Sequence, residues 1–221
     1  SYSVTGVQTC ALPICGDPVW PGPVYAHPEG RKMAFLGDVV DRGPRNLDAL
    51  RLVRNMVAAG TALCVPGNHD MKFEKALRGK NVHLRHGLDR TLAEVDGLPD
   101  GIRDEFRRQA ADFVRSMVSH CILDDGKRVV ARAGMKAEYQ GRASARVRDF
   151  ALFGETTGET DEYGLPVRMN WALEYRGAAK VAYGHTPVPD AEWLNRTINL
   201  ATGCAFGRSL TALRYPADEY V

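Results

Sequence analysis

Two short apolar runs, separated by one amphipathic stretch and each closed by a glycine-led polar turn, constrain this 221-residue chain more than any other feature. Lys32–Gly37, containing MAFLG, and Thr61–Val65 have the length of buried strands. Between them Leu47, Leu50, Val53 (or Arg54), Met56 and Val57 recur at three- and four-residue intervals, the period of a helix. Asn46 is placed to cap its start, and Gly60 follows its last turn. A strand–helix–strand unit of this size sets its strands parallel with a right-handed crossover. The expected class is α/β. The turns GDVVDRG (Gly37–Gly43) and GNHD (Gly67–Asp70) should then be neighbours, although 30 residues separate their first glycines.

Downstream, a helical region from about Met71 to Met117 is broken near Gly79–His86 and Gly97–Gly101. Its last part puts Ile102, Phe106, Ala110, Phe113 and Val114 on one face. HCIL and RVVARA flank the turn signal Asp125–Gly126. Gln140–Gly177 reads as polar and loop-rich, and strands return at Ala179–Tyr183 and Thr197–Leu200. A final hairpin is expected to join Cys204–Phe206 to Leu210–Tyr215. With 44% apolar residues and a net charge of +2, the chain has the means to bury a core and is not a disordered segment. That charge is too small to drive nucleic-acid binding in bulk. No apolar run reaches the roughly 18 residues of a membrane span. The five cysteines show no C-x-x-C spacing, so reduced thiols in a cytoplasmic protein are expected.

The chemistry sits in three turns: GDVVDRG, GNHD and GHTP (Gly184–Pro187), at strand ends, where ligands of open α/β sheets bind. Asp38 offers a carboxylate able to bridge two cations, Asn68 an amide oxygen and His185 an imidazole. Two such ions, about 3.5–4 Å apart, activate water and clamp a phosphoryl group. His69 is suited to protonate a leaving oxygen, Asp41 to orient it, and Arg42 to grip phosphate oxygens. These assignments require Asp38, Asn68 and His185 to converge on one cleft.

With these turns the chain resembles the calcineurin-like metallophosphoesterases, whose pattern is D-x-H, G-D-x-x-D-R-G, G-N-H-D/E, a histidine after a strand, and G-H. FLGDVVDRGP, TALCVPGNHD, FALFGETTGETDEYGLPVRMNW and YGHTPVPDAEWLNRTIN look most like the central phosphatase domain of bacterial polynucleotide kinase–phosphatases. That resemblance implies a β-sandwich flanked by helices over residues 32–221, two divalent metals (Mn²⁺ or Ni²⁺), and removal of 2′- or 3′-phosphates and 2′,3′-cyclic phosphates from RNA termini. It also implies neighbouring kinase and ligase-like modules. Two alternatives share the chemistry: a protein serine/threonine phosphatase and a dinucleoside-polyphosphate hydrolase. A third, of another class, is a non-catalytic phosphate-binding remnant.

Departures from the pattern are as telling. Arg132 stands where the family has a ligand histidine, in Val129-Val130-Ala131-Arg132-Ala133-Gly134, and a guanidinium has no lone pair to give. Ala201 stands where the family carries aspartate, and D-x-H-G is absent, which predicts a fold lacking its first strand and a chain of weak activity. Ser1–Cys15 (VTGVQTCALPI within it) looks like translated sequencing adapter, followed by a Gly- and Pro-rich loop, Gly16–Arg31. Arg142, Arg146 and Arg148 are candidate contacts to an RNA backbone. His83, His86 and His120 read as structural or surface residues, as do Trp20 and Trp171, with packing favoured over base stacking.

Overall fold

The computed structural model describes residues 10–13, 17–160 and 166–221, so most of the adapter-like Ser1–Cys15 lies outside the described residues, as does 161–165 of the polar loop. Two compact units make up the chain: the described residues up to Met117 together with Ala212–Val221, and Val118–Thr211.

In the first unit β1 (Cys10–Pro13) pairs antiparallel with β2 (Pro23–Ala26), in register Cys10↔Ala26. The loop expected over Gly16–Arg31 therefore holds a strand, with Val24 buried. The prolines and glycines on either side mask its short alternation. Trp20, from the same stretch, is buried, packs 4.9 Å from Phe106 and donates its indole N–H to Gln109 at 2.6 Å.

The strand–helix–strand unit is as the sequence implies. β3 (Met33–Phe35), α1 (Asn46–Ala58) and β4 (Ala62–Cys64) follow in order, and the strands pair parallel with Met33 opposite Ala62. Asn46 is not the cap, however; it is the first helical residue and its side chain donates to Gly43 O at 3.0 Å. The orphan amides of α1 are instead taken by Glu94, whose oxygens accept Asn46 N and Leu47 N at 2.9 Å each. Glu94 belongs to α3 (Leu88–Asp96), which follows α2 (Asn68–Leu77) and precedes α4 (Asp100–Ser116) in the chain. One core joins α1, α2, α3 and α4 through Leu50, Phe73, Leu88, Val95, Phe106 and Ala110.

The second unit is built on a five-stranded sheet. β5 (His120–Leu123) and β6 (Arg128–Ala131) form the expected hairpin. α5 (Ala145–Phe153) occupies part of the predicted loop, buries Val147, Phe150 and Ala151 at helical spacing, and is capped by the Ser144 hydroxyl at 3.2 Å from Val147 N. Three charged residues within it, Arg146, Arg148 and Asp149, interrupt that stripe. β7 (Thr156–Thr160) pairs with β8 (Pro166–Arg168) outside the main sheet. β9 (Lys180–Tyr183), β10 (Trp193–Leu194) and β11 (Thr197–Asn199) complete the order β10-β11-β9-β6-β5, parallel at β11–β9 and β9–β6. Gly134 leaves room for Trp171, since a Cβ there would lie 2.2 Å from the indole, whose N–H donates to Ala133 O at 3.0 Å. Both tryptophans read as packing residues, Trp20 and Trp171, are thus core.

The terminal hairpin differs from expectation. Cys204–Phe206 is a short 3-10 turn, and β12 (Leu213–Arg214) pairs with β13 (Glu219–Tyr220) in the first unit. Glycines with left-handed φ on both sides of Cys204–Phe206 (Gly203 and Gly207) wind it too tightly for a strand. Cys64, Cys121 and Cys204 form no disulfide.

Candidate active site

In the first unit GDVVDRG and GNHD meet back to back. A Cβ on Gly37 would lie 2.3 Å from Gly67 N, and one on Gly67 would lie 2.0 Å from Asp38 Oδ1, so neither turn tolerates a side chain there. Asp38 itself adopts a left-handed φ of 50°, which a short polar residue tolerates better than a bulky one. Its Oδ1 accepts the amide of His69 at 3.1 Å, at the amino end of α2, where the helix dipole favours a negative charge.

The fourth residue of GNHD, absent from the predicted site, organises it. Asp70 is buried, and its carboxylate accepts three amides: Asp38 N at 2.8 Å, Val39 N at 2.9 Å and Gly67 N at 2.8 Å. The missed signal was positional: Asp70 is the third residue of α2, from which a carboxylate reaches back to the amide preceding the helix.

Asn68 begins α2, and its Oδ1 is buried with no hydrogen-bond partner, a costly state for an amide oxygen in a protein interior. A cation would satisfy it, so the chemistry of Asn68 suits a metal ligand. His69 Nδ1 lies 2.7 Å from Asp41 Oδ2, and because a carboxylate only accepts, that nitrogen carries the proton. The buried Thr91 hydroxyl donates to the other Asp41 oxygen at 2.7 Å, which fixes the carboxylate from behind. Thr91, on α3, could not be tied to this dyad from spacing alone. Arg42 is exposed, with φ 63°, and Gly87 packs on it so closely that a Cβ would lie 2.3 Å from Arg42 N. His86, read as a structural or surface residue, sits with its ring 6.3 Å from that of His69, edge to face; burial and then the Arg42 charge hold its pKa below 6.5.

In the second unit Arg132, Gly184, His185 and Ala201 lie together at the ends of β6, β9 and β11. Gly184 N donates to Arg132 O at 2.9 Å, and a Cβ on Gly184 would lie 3.1 Å from Arg132 Nη1 and 3.4 Å from Ala201 Cβ. The positions that depart from the family pattern therefore adjoin His185, whose φ is 76°. Asp38 and Asn68 belong to one unit and His185 to the other. A guanidinium beside His185 does not fit a metal-ligand role. Among the described residues no group of three His, Cys, Asp or Glu side chains is placed to hold a metal ion. Arg142 and Arg146 are exposed; Arg146 lies over the Tyr139 ring at 5.7 Å, and nothing draws the pair into a common site. Glu155 pairs with Lys136 at 2.6 Å.

Comparison with known proteins places this geometry. The model of the calcineurin-like phosphoesterase family matches residues 24–189. An asymmetrical bis(5′-nucleosyl)-tetraphosphatase of Anoxybacillus flavithermus is 45% identical over 92% of this chain and 83% of its own length. Those of Geobacillus thermodenitrificans and Bacillus subtilis are 43% and 42% identical, each over 90% of this chain and 81% of theirs. A solved structure provisionally named a diadenosine tetraphosphatase superposes with a TM-score of 0.60 at 22% identity, over 88% of this chain and 81% of that one, and shares the fold. These relatives correct the likeness to polynucleotide kinase–phosphatases, because the shared turns belong to the superfamily rather than to RNA repair. Among the described residues no helix is long and apolar enough to cross a membrane. The chain belongs to the calcineurin-like phosphoesterase family, α/β enzymes that hydrolyse phosphoesters and generally use two divalent metals.

Proposed function

We propose that this chain is a dinucleoside-polyphosphate hydrolase that splits a bis(5′-nucleosyl) tetraphosphate unequally, into a nucleoside monophosphate and a nucleoside triphosphate. The observation that carries the reading is the 45% identity to a relative so named, across 83% of that relative. Attack of water on phosphorus breaks a P–O bond and leaves an anionic oxygen that gains from a proton. His69, with Nδ1–H anchored on Asp41, gives that proton from Nε2 when its ring is the doubly protonated imidazolium, and returns to the neutral form. Arg42 can fork onto the phosphate oxygens. Asp38 and Asn68 are the proposed metal ligands of the first unit and His185 is that of the second, for Mn²⁺ or Ni²⁺. When bound, the metal lowers the pKa of water and neutralises charge on the phosphoryl group. Arg132 disfavours a cation beside His185, so activity is weak relative to a chain with histidine there.

The test is incubation of the purified chain with diadenosine tetraphosphate and Mn²⁺, with products separated by anion exchange. Equal amounts of AMP and ATP are expected. Faster turnover of a 2′,3′-cyclic nucleotide or a phosphoserine peptide would return the reading to RNA ends or to protein phosphatases.

A further inference from the structure

The second unit contains a cavity of about 210 Å³ beside His185, lined among others by Phe153, Gly154, Arg168, Met169, Asn170 and Asn199. It falls below the roughly 300 Å³ at which pockets for drug-sized ligands begin, which suits one planar base rather than a whole dinucleotide. Phe153 and Met169 are large apolar side chains, each 42% exposed, and both line this one opening. Apolar surface facing water at a cavity mouth gains by being covered, and the flat face of a base would cover it.

Arg168 stands beside them, with Nη1 donating to Phe153 O. The carboxylate that shares the lining, Glu155, is committed to Lys136 at 2.6 Å. Burial first, and then the charge of Arg132, a second guanidinium, lower the pKa of Arg168 while leaving it protonated at neutral pH. A positive group repelled by its charged neighbour favours an anion, and phosphate matches its planar fork. Asn170, exposed at the start of the short turn Trp171–Glu174, adds an amide able to read a base edge.

We infer that this cavity is a nucleoside-phosphate subsite: Phe153 and Met169 sandwich one base of the substrate, and Arg168 holds the phosphate attached to it. The inference deepens the proposed function and rests on its dinucleotide substrate. It also makes a binding claim of its own that needs neither metal nor turnover.

The experiment is calorimetry of the intact chain in EDTA with ATP and, separately, with inorganic tripolyphosphate, alongside saturation-transfer NMR on adenine H2 and H8. ATP should bind about tenfold or more tightly than tripolyphosphate, the worth of one stacked base, with transfer to both adenine protons. Phe153→Ala and Met169→Ala should each erase most of that preference while leaving tripolyphosphate unchanged. Both residues are half-exposed, and circular dichroism melts check that the variants stay folded. Arg168→Gln should weaken both ligands about tenfold. Equal affinity for the two ligands, or no transfer to adenine, overturns the subsite whatever the enzyme hydrolyses. Adenine contact without release of AMP and ATP from diadenosine tetraphosphate sinks the hydrolase reading and leaves the subsite standing.

Discussion

Asp70 holds Asp38 by its backbone: Oδ2 accepts the Asp38 amide at 2.8 Å, across 32 residues of chain. The same oxygen takes Gly67 N and its partner takes Val39 N, so one buried carboxylate fixes both turns of the candidate metal site. Asp70→Ala leaves three amides without their acceptor, that of Gly67 buried and those of Asp38 and Val39 half-buried. The expected destabilisation is about 3 kcal/mol, read from urea unfolding. Asp70→Asn, which keeps an acceptor oxygen, should recover part of it. An alanine variant as stable as the parent would mean these bonds hold nothing.

Gly67→Ala tests the contact between the turns in isolation. Gly67 has φ −98°, which alanine adopts without strain, so what is added is the clash of its Cβ with Asp38, whose Oδ1 and backbone N would lie at 2.0 and 2.3 Å. Overpacking of this kind costs about 1–3 kcal/mol. The same substitution should reduce Mn²⁺ affinity through displacement of Asp38, measured by loss of the free-ion signal in electron paramagnetic resonance.

Arg132→His exchanges a cation for a neutral donor next to His185. We expect Mn²⁺ to bind at least about tenfold more tightly, which corresponds to roughly 1.4 kcal/mol. Turnover of diadenosine tetraphosphate should rise in parallel. Unchanged affinity and rate would place the weakness elsewhere in the site.

His69→Ala removes the proposed proton donor, and its effect should track the leaving group. Hydrolysis of an alkyl phosphate, whose leaving oxygen is strongly basic, should fall by about 100-fold. A p-nitrophenyl ester, whose leaving group needs little help, should lose far less. Asp41→Asn should show the same pattern more mildly. Equal losses on both esters would point to binding rather than proton transfer.

His120 predicts an acid-sensitive fold. Its Nε2 accepts Gly141 N at 3.1 Å, a bond that requires an unprotonated ring, and burial lowers its pKa below the unfolded value of 6.5. The unfolded chain then binds the extra proton first, so stability is unaffected well above pH 6.5 and declines as pH falls through and below it. Denaturation midpoints measured between pH 7.5 and about 5 should fall, and His120→Gln should flatten the slope.

Much of this was legible in the chain. The parallel β3–α1–β4 unit follows from apolar spacing, and the meeting of its two turns from topology. The Asp41–His69 pair was readable because both residues belong to those turns. Thr91 and Glu94 were not, because each reaches its partner across about 50 positions with only an ordinary helix sequence around it. β2 was hidden by flanking prolines, and α5 by arginines that interrupt its apolar stripe. The cavity was out of reach too, since Phe153 and Met169 both fall in Gln140–Gly177, the stretch that reads as polar loop.

The mutual fit of Gly37 and Gly67 has a consequence for how such a chain can change. Neither position can acquire a side chain unless the opposite turn yields, so drift at one is vetoed by the other. Substitutions around the ligands must accumulate at residues such as Arg132 and Ala201, which lie in the second unit and outside that interlock.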